Sequence, residues 1–129
     1  MTTKYSRKTG ASAGSFAPFP VGKEELVLTS VYMDGLAPND RIVLKPEIGW
    51  AKPVHWDTGE LEVMLRENSP DGQVVYWTLE TCFEKALTSE SCTVRGGKSV
   101  KVFYLTVRSS EERAMITGPY SLQGTVFAE

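Results

Sequence analysis

Residues with catalytic potential are few in this chain. His55 is the only histidine among 129 residues, and Cys82 and Cys92 are the only cysteines. Nucleophilic catalysis needs a base within hydrogen-bond reach of its nucleophile, so any Ser–His or Cys–His pair has to use His55. His55 lies in Trp50-Ala51-Lys52-Pro53-Val54-His55-Trp56-Asp57, with no Gly-x-Ser-x-Gly elbow anywhere, which reads as a loop histidine facing solvent or stacking on a ring. Gly96-Gly97-Lys98-Ser99 resembles the end of a phosphate-binding loop, but Cys92 stands where the first glycine is required and a strand pattern follows. It reads as a hairpin turn. Glu60/Glu62 and Glu111/Glu112 are paired carboxylates, and glycoside hydrolysis would need two held about 5–10 Å apart across a cleft; the Glu60/Glu62 pair fits a solvated strand face instead. No metal-ligand spacing and no cofactor fingerprint are present.

Cys82 and Cys92 fit neither a redox pair nor a four-ligand zinc site. Two readings stand for them: free, partly buried thiols, or an intrachain or intersubunit disulfide. The most suggestive constellation is Trp50, His55, Trp56 and Asp57. Indoles on a sandwich loop stack on sugar faces, and Asp57 or Glu60 would accept hydroxyl hydrogen bonds, giving carbohydrate or small-ligand binding by the Trp50–Glu60 loop. The opposing reading is that one or both indoles close the end of the core.

Strands must position these residues. Leu26 to Met33 alternates with apolar residues on both faces, and Asp34-Gly35 with Pro38-Asn39-Asp40 ends it. Ile42 and Leu44 alternate with Arg41, Val43 and Lys45 up to Pro46, where a strand stops or reaches a sheet edge. The clearest alternation follows Asp57-Thr58-Gly59, with Leu61, Val63 and Leu65 inward and Glu60, Glu62, Met64 and Arg66 outward. Asn68 to Gly72 turns the chain into Val74 to Leu79, Arg95 to Lys98 turns it into Val100 to Val107, and Gly118-Pro119 precedes a last strand from Tyr120 to Ala128. Only Glu80 to Leu87 is helix-friendly, short enough for one turn or a bent crossing between sheets. The expectation is an all-β, antiparallel β-sandwich of about seven to eight strands, jelly-roll or Ig-like.

Charge divides the chain. Residues 1–22 carry Lys4, Arg7 and Lys8 and no acid, while residues 23–129 hold the other eleven bases and all sixteen acids. The domain reading is a flexible or extended N-terminal arm, 1–22, before a sandwich domain, 23–129. Gly10 to Ser15 has too little side chain to offset the entropy of ordering. Phe16, Pro18, Phe19, Pro20 and Val21 form a stiffened aromatic segment suited to docking in an apolar groove, of its own domain or of a neighbouring subunit. An acidic body repels phosphate, so no nucleic-acid partner is expected. No stretch reaches the roughly 18 to 20 apolar residues of a membrane span. The basic start lacks an apolar core after it, so no signal peptide is expected.

The order Leu28-Thr29-Ser30-Val31-Tyr32-Met33-Asp34-Gly35-Leu36, Ile42 to Ile48, Val75-Tyr76-Trp77-Thr78-Leu79, Phe103 to Val107 and Tyr120 to Phe127 resembles the strand pattern of small spore-surface and endospore-appendage proteins. That resemblance implies a β-sandwich structural protein whose N-terminal connector links subunits. Its members are usually cysteine-rich; here residues 1–22 contain no cysteine, which leaves docking of Phe16 and Phe19 as the connecting contact. Phage capsid-decorating proteins share the anatomy of arm plus small β domain.

The expected function is a non-enzymatic subunit without cofactor. It would self-assemble, through sheet edges and its arm, into a filament or shell with copies of itself or a larger surface assembly. Synthesis in the cytoplasm and display on a spore, cell or virion surface is the expected location, with the cytoplasm as the alternative.

Overall fold

The computed structural model describes residues 2–129. Ten strands follow along the chain: β1 (Thr2–Ala11), β2 (Phe19–Val21), β3 (Leu26–Met33), β4 (Arg41–Ala51), β5 (Gly59–Glu67), β6 (Gln73–Cys82), β7 (Lys85–Ser89), β8 (Cys92–Arg95), β9 (Lys101–Arg108) and β10 (Ala114–Ala128). They fill eight lanes, because β1 and β2 run in succession along one edge of β10, and β7 and β8 along one edge of β4. The first sheet reads β1/β2, β10, β4, β7/β8 and the second β3, β9, β5, β6, with every pairing antiparallel. The chain crosses between sheets repeatedly, giving jelly-roll connectivity rather than the Ig-like alternative.

The inward set expected of β5 and the apolar alternation expected of β4 form the core, joined by one face of β9. Leu61, Val63 and Leu65 of β5, Ile42 and Leu44 of β4, and Phe103, Leu105 and Val107 of β9 are fully buried between the sheets. Each such side chain contributes about 1.5–3 kcal/mol by leaving water. Pro46 does not end its strand. Its carbonyl accepts the Glu90 N–H at 3.1 Å, so its missing N–H falls at the gap between β7 and β8, where no ladder bond is lost. The helix-friendly stretch is the bent crossing: β6 continues to Cys82, and Phe83-Glu84 carries the chain to β7 in the other sheet.

The flexible arm gives way to an ordered strand. β1 pairs with β10 from Thr2 opposite Ala128 to Ala11 opposite Tyr120. Composition speaks only to side-chain burial, whereas the long β10 offers a row of backbone groups that need partners. Side chains add to the ladder: Ser6 meets the Thr125 hydroxyl at 2.9 Å, and Lys4 and Arg7 each reach an aspartate, Asp40 and Asp34, at 2.8 Å. The positive segment thus discharges onto its own body. Lys4, joined by the Ala37 N–H, holds the Asp40 carboxyl below the usual carboxylate range.

Between β1 and β2 the chain bulges away opposite Thr117 to Pro119, where the β10 register against β4 also shifts. Phe16 fills this place, its ring centroid 5.4 Å from Tyr120 and 5.6 Å from Phe19. Two glycines make the close approach. Gly118 has φ +88°, and a Cβ on it would stand 2.9 Å from the Phe16 ring; a Cβ on Gly49 would stand 2.2 Å from the Gly118 carbonyl oxygen. Val21 is buried, Phe16 and Phe19 are half-buried, and Pro18 and Pro20 are exposed. The groove that receives the aromatic segment belongs to its own domain.

Candidate functional site

Two regions carry functional side chains: a cleft at one end of the sandwich, and the outer face and free edge of the second sheet. The cleft has a volume of about 630 Å³ and is lined by Val21, Pro53, His55, Trp56, Glu112 and Met115 among others. The β4–β5 loop brings His55 and Trp56 to it, their ring centroids 5.7 Å apart. The Arg113 guanidinium covers one side of Trp56 at 4.2 Å and pairs with Glu111 at 2.6 Å.

The four-residue constellation does not form a single site. Trp50 is fully buried in β4 and donates its indole N–H to the Thr88 hydroxyl at 2.9 Å. Its even-numbered position continues the inward row of Ile42 and Leu44, so the strand carries it into the core. Asp57 is exposed and is not part of the cleft lining. Neither cysteine lines the cleft, so His55 has no thiol partner there.

Both thiols are free within the chain, which removes the intrachain disulfide reading. Cys82 ends β6 opposite Gly59 in the second sheet, whereas Cys92 opens β8 opposite Leu44 in the first. Burial pushes the Cys82 thiol up and the Cys92 thiol up to about 11, so both are protonated and weakly nucleophilic at neutral pH. Gly96 to Ser99 is the turn between β8 and β9. No group of three or more His, Cys, Asp or Glu residues converges as for a metal among the described residues.

On the outer face of the second sheet, Val27, Thr106, Met64 and Trp77 form one row across β3, β9, β5 and β6. Arg108, Glu62 and Leu79 form the next. Met64, expected to face water, is covered in this layer and only 4% exposed. Trp77 is 53% and Leu79 44% exposed. Each expected outward charge here has a partner, except Glu60. Glu62 accepts from Arg108 Nε at 2.8 Å and from the Trp77 indole at 3.0 Å. Glu25 and Arg66 join in a two-bonded pair. The Arg66 and Arg108 guanidiniums hold the Glu25 and Glu62 carboxyls below their ordinary range.

β3 and β6 are the two edges of this sheet; Arg7 and Thr9 of β1 donate to the Tyr32 and Ser30 carbonyls of β3, whereas β6 (Gln73–Cys82), whose one charged residue is Glu80, contains no Lys, Arg or Pro. Those are the residues that normally blunt an edge. On its other side, Glu80 shares a hydrogen bond with Glu90, and burial followed by that contact raises the Glu80 pKa. Burial and Glu90 likewise raise the Tyr76 hydroxyl. Val74 to Leu79 is legible in the sequence as a strand but not as a surface; the lack of Lys, Arg and Pro along it is the available signal.

No family model matches the chain, and no curated protein matches it. Among solved structures, one that matches is the infectious bursal disease virus VP2 subviral particle, with a TM-score of 0.57 and 14% identity over 95% of this chain. The match covers 33% of the VP2 chain, so this chain spans about a third of that length. At this identity the likeness shows the fold: two antiparallel sheets in a β-sandwich resembling the VP2 capsid jelly roll. Among the described residues no helix is long and apolar enough to cross a membrane.

Proposed function

We propose that this chain is a non-enzymatic structural subunit that assembles with copies of itself into a filament or shell on a spore, cell or virion surface. The observation that carries this reading is the unguarded β6 edge, with Trp77 and Leu79 exposed beside it. Strand addition at such an edge supplies main-chain hydrogen bonds, while the flanking side chains supply apolar area. The resembled jelly roll belongs to a protein described as a subviral particle, which accords with assembly. Because β1, Phe16 and Phe19 are engaged within their own chain, the reading assigns the contact between copies to β6.

Light scattering and negative-stain microscopy of the purified chain test it. The expected result is large, uniform particles from the native chain and monomers from a folded Trp77→Lys/Leu79→Lys variant. A native chain that stays monomeric when concentrated, or a variant that forms the same particles, overturns the reading.

A second reading, carbohydrate or small-ligand binding, rests on the cleft beside Trp56. It predicts a glycan-array signal that Trp56→Ala removes without unfolding the protein. Absence of any signal from the native chain removes this reading.

A further inference from the structure

The outer face of the first sheet has a different chemistry. Outward positions pair across it as Lys8, Gln123 and Lys45 in one row and as Ser6, Thr125, Val43 and Thr93 in the next. Beyond these, Phe127, Arg41 and Arg95 stand side by side. Successive strands are about 4.8 Å apart, so Lys8 and Lys45 stand roughly 10 Å apart, and Arg41 lies about 13 Å along β4 from Lys45.

Six of the fourteen bases form ion pairs: Lys4, Arg7, Arg66, Lys101, Arg108 and Arg113. Of the eight others, unpaired among the described residues, Lys8, Arg41, Lys45 and Arg95 share this face and Lys85 stands at its far end, opposite Ala51, while Lys23, Lys52 and Lys98 lie elsewhere. Glu47 is the one carboxylate among the described outward strand positions of this face. Arg41 and Arg95 are direct cross-strand neighbours. Like charges in that position repel and cost stability unless an anion sits between them.

We propose that this face binds a phosphate-bearing anionic polymer laid across β1, β10, β4 and β8. Guanidinium groups pair with phosphate oxygens through two parallel bonds, and lysines add point charges. Thr93 and the second amide hydrogen of Gln123, between the bases, can donate to phosphate without reading sequence, while Ser6 and Thr125 are hydrogen-bonded to one another and Gln123 to Ser6. The protein's net charge of −2 does not prevent this, since the local field at one face decides the encounter.

Inorganic polyphosphate is the probe, titrated against the full chain by fluorescence anisotropy. Binding is expected at about 50 mM salt and should weaken about 20- to 50-fold by about 200 mM, the salt dependence of three to four phosphate contacts. Arg41→Gln/Arg95→Gln should weaken it at least about tenfold, while Lys23→Gln, an exposed base in the β2–β3 loop, should leave it unchanged. Lys8→Gln/Lys45→Gln repeats the test should the arginine pair fail to fold. The proposal is overturned by absence of binding at low salt or by an equal loss in Lys23→Gln. It is also overturned if the face variants leave polyphosphate binding intact while altering anionic-vesicle binding or particle size, which would give the face to lipid or to a second copy.

Discussion

The two outer faces of the sandwich contrast in how their charges are answered. On the second sheet, Glu62 takes Arg108 and Glu25 takes Arg66; Met64 and Trp77 lie in the row between these pairs and Leu79 beside Glu62. On the first sheet, Arg41 faces Arg95, and Lys8 and Lys45 flank Gln123 without a carboxylate partner. An ion-paired apolar face is better suited to burial against protein than an unpaired one, because each charge that loses water keeps an ionic partner. An uncompensated basic face is suited to an anion. Net charge hides this division, and so does the split between the first 22 residues and the rest, because Lys4 and Arg7 are spent on Asp40 and Asp34.

The largest effect expected from breaking this contrast is on assembly. Lysines at 77 and 79 should abolish particles in light scattering, whereas Lys8→Gln/Lys45→Gln on the other face should leave them unchanged. Next is stability of the paired face. Glu62→Gln removes the charge from the Arg108 contact and should cost about 0.5–1 kcal/mol by urea denaturation, limited because Arg108 is partly exposed. Little extra loss in Arg108→Gln/Glu62→Gln would confirm that the two act as a pair.

The acids differ in sign with pH. Glu25 and Glu62 have lowered pKa values in the fold. Their stabilisation is present above the ordinary carboxylate range and is lost as pH falls through the folded values. Glu80 is raised above its ordinary 4.5, so ionising it costs stability as pH rises through its folded value. Glu80→Gln should therefore raise the melting temperature at neutral pH, with the gain vanishing below about pH 4, where folded and unfolded states are both protonated. The smallest effect belongs to the basic face: Arg95→Thr should stabilise by about 0.2–1 kcal/mol by relieving its repulsion with Arg41. Calorimetry should show that gain shrinking as salt rises.

Much of the fold was legible because alternation is local. Leu61, Val63 and Leu65 face the core as their spacing predicts, and the turns at Asn68 to Gly72 and Gly96 to Lys98 lie between strands as their residues require. The candidate site was less legible. Trp56 and His55 do meet at a cleft, but Trp50 follows Pro46 in a stretch whose local pattern suggests a loop, although it belongs to the inward row of β4. Eight lanes hold ten segments because Pro46 coincides with a break in one edge and Phe16 interrupts another, and both events depend on partners distant in sequence.

The amino-acid sequence by itself determined an all-β sandwich, its inward residues and its turns, since these follow from period-two patterning and backbone preferences over a few residues. Tertiary structure decided that β1 is a strand rather than an arm, that Cys82 and Cys92 lie apart, and that Lys8, Arg41, Lys45 and Arg95 share one face. The reason is register. Which residues become neighbours across a sheet is set by pairings such as Ser6 with Thr125, 119 positions apart, and no local pattern encodes a contact at that range.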